Sequence, residues 1–131
     1  MRKTKGWIIM FLFSFLGLTA CRGGNSSVQT YEQISAKEAK AIMDAEKDYI
    51  IIDARTEAEF AEGHIAGAIL IPEYEIAARA EKELPNKNAL ILVYCRSGRR
   101  SKIASEALVK LGYTNVREFG GIIDWPYEIV K

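Results

Sequence analysis

Ala89-Leu90-Ile91-Leu92-Val93-Tyr94, followed at once by Cys95-Arg96-Ser97-Gly98-Arg99-Arg100-Ser101, decides how this chain is read. The first six residues are apolar throughout, the mark of a strand covered on both faces. From Ser101 to Leu111 the residues Ile103, Ala104, Ala107, Leu108 and Leu111 recur at helical spacing, and Gly112 caps that helix. The polar turn between them therefore closes a buried strand and opens a helix. A thiol at that junction meets backbone N–H groups and the positive end of a helix dipole. Arg96, Arg99 and Arg100 add fixed positive charge. Both effects favour thiolate over thiol and prepare a seat for an anion. With Gly98 turning the chain, Cys95 is expected at the sheet rim, as a nucleophile toward an anionic substrate.

Working outward, the rest of the chain alternates strand and helix. Val28 to Ile34 supplies a weak edge strand, and Ser35-Ala36-Lys37-Glu38 is a capping box opening a helix with Ala39, Ile42 and Met43 inward. Tyr49-Ile50-Ile51-Ile52 is a second buried strand ending at Asp53, and Thr56-Glu57-Ala58-Glu59 is another capping box, with its short helix stopped near Gly63. Ala68 to Ile71 is a third strand before Pro72, Glu73 to Leu84 a helix, and Asn115 to Phe119 a fifth strand leading to Gly120-Gly121. This order predicts an α/β fold, a parallel sheet with helices on both faces. Ligands of such sheets gather beyond the carboxyl ends of the strands, where Cys95 lies.

The first residues read as a targeting segment. Arg2, Lys3 and Lys5 precede an apolar run from Trp7 to Leu18, too short to cross a bilayer comfortably. Leu18-Thr19-Ala20-Cys21 resembles the bacterial lipobox, whose cysteine is acylated and becomes the new N-terminus. The implied division is a leader over residues 1–20, a flexible tether over 21–27 and one domain over 28–131. The domain would be exported and held by lipid on Cys21 at the periplasmic or cell-surface face of a bacterial membrane. Without the leader, 15 Lys and Arg face 17 Asp and Glu, a side-chain balance of −2, so no nucleic-acid partner is indicated. The chain has two cysteines. With Cys21 acylated, Cys95 is a lone thiol, and with His64 the single histidine, no histidine-rich metal site is available.

Ile51-Ile52-Asp53-Ala54-Arg55, Glu59, Gly63-His64-Ile65, Gly67-Ala68 and Ile71-Pro72 resemble the first motif of the rhodanese domain, and Tyr94 to Ser101 resembles its catalytic loop. Leu111-Gly112-Tyr113, Asn115-Val116 and Gly120-Gly121-Ile122 through Trp125 are similar to the segments that follow. The resemblance covers about Val28 to Trp125. It implies a five-stranded parallel sheet and a sulfurtransferase without metal or organic cofactor. Sulfane sulfur would pass from a small anionic donor such as thiosulfate, through a Cys95 persulfide, to cyanide or a thiol. A monomer is expected. A sulfur-carrier module and a thiol redox or sensor domain are the alternatives. The related phosphatases place five residues between cysteine and arginine; here there are four, and the smaller ring suits a sulfur atom better than a phosphoryl group.

Arg100 closes the loop and is expected to orient it or to contact the donor. Arg96 and Arg99 point outward to attract anions, Ser97 and Gly98 act through their backbone, and Gly98 allows a positive φ. Ser101 is expected as the N-cap of the helix, with its hydroxyl within reach of the sulfur. Asp53 is expected to satisfy loop N–H groups, Arg55 and Glu59 to form an ion pair with Arg55 also reaching substrate, and His64 to be structural.

Overall fold

The computed structural model describes residues 30–131. The leader, Cys21 and the tether lie outside the described residues. Five strands form one sheet: β1 (Glu32–Gln33), β2 (Ile50–Asp53), β3 (Ile69–Leu70), β4 (Ile91–Cys95) and β5 (Val116–Gly121). Their order is β1-β5-β4-β2-β3, every pairing parallel, as the alternation of strands and helices predicted. The helices are α1 (Ala36–Ala45), α2 (Glu57–Glu62), α3 (Ile76–Glu83) and α4 (Arg99–Lys110), with 3₁₀ turns at Glu73–Glu75 and Ile122–Asp124.

The apolar strand β4 is central, between β5 and β2, and all five of its residues are buried. Successive side chains of a strand face opposite ways. Ile91, Val93 and Cys95 pack with Ile76, Ala80, Ala104 and Leu108 of α3 and α4. Leu92 and Tyr94 pack instead with Ala39, Ile65, Phe119 and Trp125 on the α1 side. Cys95 thus belongs to the α3–α4 layer.

The ends of the helices follow local chemistry. Ser35 and Glu38 complete the capping box of α1. Thr56 accepts the Glu59 N–H, but the Glu59 carboxylate accepts from the Thr56 hydroxyl at 3.1 Å rather than from its N–H, so the second box is incomplete. After α4, Tyr113 N–H reaches Leu108 O and Gly112 N–H reaches Val109 O, a Schellman ending with Gly112 at φ 95°. The helix after the cysteine starts earlier than its apolar periodicity suggested. It begins at Arg99, and its N-cap is Gly98 at φ 107°, a left-handed conformation that favours glycine.

Between β4 and β5 the register slips. Val93 faces Glu118, yet Cys95 faces Gly121, so β5 spends three residues where β4 spends two. The extra residue brings Gly121 opposite the cysteine.

Candidate active site

Cys95 ends β4 at the carboxyl edge of the sheet, but it is not at an open rim. Only 1% of the residue is exposed. The turn that follows folds back over it: Gly98 N–H donates to Sγ at 3.0 Å, and Sγ lies 3.3 Å from Ser101 Oγ. Gly98 N–H is the amide hydrogen-bonded to the sulfur among the described residues. The Arg96–Ser97 peptide rests against Gly121, with Arg96 O accepting from Ile123 N–H at 3.3 Å. Arg96, Ser97 and Arg99 are exposed.

Ser101 is not the N-cap. It sits in the first turn of α4, fully buried, with its hydroxyl near Gly98 O (3.0 Å) and Glu118 Oε1 (2.7 Å). Glu118, which sequence reasoning passed over, is 3% exposed and also accepts Gly120 N–H at 2.7 Å. A signal for it was available. Period two from the apolar Val116 places Glu118 on the inner face of β5.

The expected Arg55–Glu59 pair is absent, because each residue has a better-placed partner. Arg55 binds the Asp53 carboxylate through Nε (3.0 and 3.1 Å) and Nη2 (2.7 Å), and Nη2 also donates to Gly63 O at 2.7 Å. Burial opposes the Arg55 charge, but Asp53 outweighs it and holds the guanidinium protonated more firmly than usual. Asp53 accepts nothing from the 96–98 turn. Its other donors are Arg55 N–H (3.0 Å) and the Tyr94 hydroxyl (2.6 Å), which itself accepts Ile65 N–H at 3.0 Å. Burial, then Asp53, pushes the Tyr94 phenol well above its ordinary value.

Glu59 pairs instead with Arg100, across 41 residues of sequence, in a two-pronged bond of 2.6 and 2.9 Å. Arg100 holds the Glu59 carboxyl down at about 2. Glu59 in turn raises Arg100. Arg100 therefore ties the start of α4 to α2, and its guanidinium is committed to a carboxylate. His64 stacks on Phe60 with ring centroids 3.7 Å apart, and Nδ1 lies 2.9 Å from Phe60 O. A carbonyl only accepts, so Nδ1 carries the proton.

Beside the turn is a cleft of about 290 Å³ with Arg55, Glu59, Glu62 and Arg96 on its polar side and Ile122, Ile123 and Ile129 on its apolar side. A larger cleft of about 510 Å³ lies on the α1 side among Met43, Tyr49, Trp125 and Tyr127 and includes none of the cysteine turn. The smaller borders the cysteine turn through Arg96; its two arginines are matched by two glutamates, and Arg55 is bound to Asp53, which leaves Arg96 as the exposed cation beside the turn. Among the described residues no group of three His, Cys, Asp or Glu is placed to hold a metal ion, and no helix is long and apolar enough to cross a membrane.

Fold and site together define a parallel α/β protein whose cysteine lies at the carboxyl edge of the sheet beneath a short turn into a helix. The chain belongs to the rhodanese family: the Rhodanese-like domain matches residues 35–126. It is 41% identical over 80 residues to the thiosulfate sulfurtransferase PspE of Escherichia coli, covering 61% of this chain and 77% of that protein. A sulfurtransferase of Allochromatium vinosum is also 41% identical over 80 residues, covering 60% and 73%. Among solved structures, a rhodanese with anions from E. coli is similar at TM-score 0.60 and 38% identity, covering 63% of this chain and 98% of that one.

Proposed function

We propose that this protein is a sulfurtransferase that carries sulfane sulfur on Cys95, loaded from thiosulfate or a related anion and delivered to cyanide or a thiol. The observation that carries this reading is the seat of Sγ, held by Gly98 N–H at 3.0 Å in a turn of the family's length. Similarity to a thiosulfate sulfurtransferase at 41% identity supports it. Cys95 attacks the outer sulfur of the donor; the Cys95 S–S bond forms, the donor S–S bond breaks, and the electron pair leaves with sulfite. An acceptor nucleophile then takes the outer sulfur and restores Cys95, a ping-pong sequence that uses no metal or organic cofactor. Arg96, exposed at the cleft, draws the anion to the turn, with Arg55 behind it bound to Asp53, while Ser97, Arg99 and Arg100 shape the turn and its field.

Because Sγ is covered, loading requires the 96–98 turn to lift. Its main ties are the Arg96 O bond to Ile123 and the Gly98 N–H bond to Sγ itself. A donor anion replaces the second of these with its own contacts to the turn.

The Leu18-Thr19-Ala20-Cys21 motif supports export and a lipid anchor at Cys21, putting this chemistry at a membrane surface outside the cytoplasm. The test is intact mass after thiosulfate. A gain of one sulfur atom is expected in the native protein and not in Cys95→Ser, with thiocyanate formed on adding cyanide. Sulfur transfer by Cys95→Ser, or no loading of the native protein by thiosulfate or polysulfide, overturns the reading.

A further inference from the structure

A carboxylate stands two bonds behind the nucleophile, and the chemistry above does not use it. Glu118 is 3% exposed, and among the described residues no Lys or Arg pairs with it. Its neighbour Arg117 turns to Glu32 instead, at 3.5 Å. Buried carboxylates without a cation are costly and are kept where hydrogen bonds hold them. Oε1 has two, from Gly120 N–H and from the Ser101 hydroxyl, both at 2.7 Å.

The Ser101 hydroxyl has one hydrogen and three oxygens within reach: Glu118 Oε1 at 2.7 Å, Gly98 O at 3.0 Å and Gly120 O at 3.4 Å. The nearest is also the charged one, and a charge-assisted bond is the stronger. The hydrogen therefore points to Glu118, leaving Ser101 Oγ as an acceptor toward Cys95 Sγ, 3.3 Å away. Thiol, hydroxyl and carboxylate form a directed chain, S–H to O–H to carboxylate. Cys95 is 1% and Ser101 0% exposed, so while the turn is closed a proton leaving Sγ has no bulk water beside it. The hydrogen-bonded chain offers an internal acceptor that is in place before the turn lifts.

We infer that Glu118, acting through Ser101, takes and holds the Cys95 proton while sulfur is loaded. This rests on the Cys95 sulfurtransferase reading and deepens it. The thiol proton passes to Ser101 Oγ as the Ser101 proton passes to Glu118, so Cys95 thiol plus Glu118 carboxylate becomes Cys95 thiolate plus Glu118 carboxylic acid. The thiolate attacks the outer sulfur of thiosulfate, and sulfite departs with the electron pair of the broken S–S bond. The held proton then goes to the terminal sulfur of the persulfide. Overall, thiol and thiosulfate give protonated persulfide and sulfite, balanced in atoms and charge. Glu118 is a positioning residue and Ser101 the group that touches the reacting sulfur. The other ionisable groups nearby are occupied: Arg100 by Glu59, Asp53 by Arg55 and Tyr94. The Tyr31 phenol, on the carboxylate side, is raised by burial and then by Glu106 and Glu118, so it keeps its own proton.

The test is single-turnover loading by thiosulfate at neutral pH, read by intact mass, for the native protein, Glu118→Gln, Ser101→Ala and the double variant. Each single change is expected to slow loading by about a hundredfold, the low end of general-base assistance. The double variant should be no slower than either, because both break one chain. The native rate should show a solvent deuterium isotope effect that Glu118→Gln loses, and Glu118→Asp should recover part of the rate. Ser101→Ala decides the matter if Glu118→Gln does not fold. Loading by Glu118→Gln at the native rate, or faster because a repelling charge has gone, overturns the relay, as do multiplicative effects in the double variant. Alkylation of Cys95 by iodoacetamide, which needs no sulfur donor, should fall by a similar factor in Glu118→Gln. A native protein that never loads defeats the parent reading, and the alkylation ratio still decides the relay.

Discussion

Replacing Gly121 by alanine should dislodge the cysteine turn. The backbone at Gly121 (φ −131°, ψ 155°) is ordinary extended chain that any residue adopts, so conformational strain is not at issue. Space is. A Cβ there would stand 1.9 Å from Arg96 O, 2.3 Å from Arg96 C and 2.5 Å from Ser97 N. Ordinary contact begins at 3.4 Å, so the Arg96 carbonyl must retreat by about 1.5 Å, and these are backbone atoms with no rotamer to turn. Retreat breaks the 3.3 Å bond from Ile123 N–H to Arg96 O. Overpacking costs about 1–3 kcal/mol and a lost hydrogen bond about 1 kcal/mol, roughly 2–4 kcal/mol together. For a domain of this size that lowers Tm by on the order of 10–25 °C. Urea unfolding gives the stability, and iodoacetamide labelling gives the exposure of Cys95, which should rise as its cover is pushed away. Stability within about 0.5 kcal/mol of native, with Cys95 as protected as before, would refute the close packing of Gly121 on the turn.

The Glu59–Arg100 pair should confer stability that depends on pH. The Glu59 carboxyl is depressed from 4.5 to about 2, so its contribution is fully present above about pH 4.5 and disappears as pH falls through about 2. That depression sets a ceiling of roughly 3 kcal/mol; with 25% and 23% of the two side chains exposed, solvent screening reduces it to about 1–2 kcal/mol. The stability gap between the native protein and Glu59→Gln should shrink across that range, and a gap constant with pH counts against the pair. Tyr94→Phe removes the hydroxyl that bridges Asp53 and Ile65 N–H, leaving a buried N–H unpaired, at a cost of about 1–3 kcal/mol in urea unfolding. Unchanged stability in that variant would mean another group satisfies Ile65.

The sheet was legible because its central strands are short, apolar and bounded by turn residues. Ile50 to Asp53 and Ile91 to Cys95 could be little else. Gly98 was legible as well, since a left-handed turn after a cysteine narrows the choice of residue. The helix start was misplaced because Ser101 looks like a cap, whereas the turn needed its first φ at Gly98. Ion pairs were the least readable feature. Arg55 and Glu59 have helix-like spacing, yet Asp53, the last residue of β2, lies just two residues before Arg55, and Arg100 reaches Glu59 only once β4 lies beside β2. The depth of Cys95 was hidden too, because it depends on the register slip that sets Gly121 under the turn. Glu118 is a single acid in a strand, and only the assembled sheet shows that it and the Cys95 thiol meet on one hydroxyl, that of Ser101.

Tyr94 and Cys95 are adjacent in the chain yet look into different halves of the molecule. The parity of β4 is therefore the address of the chemistry. Inserting or deleting one residue within that strand would exchange the two: the thiol would land among Phe119 and Trp125, and a phenol would be driven into the space beside Ser101. Such an indel leaves the composition and length of the chain almost untouched, and it disconnects the sulfur from every group that serves it.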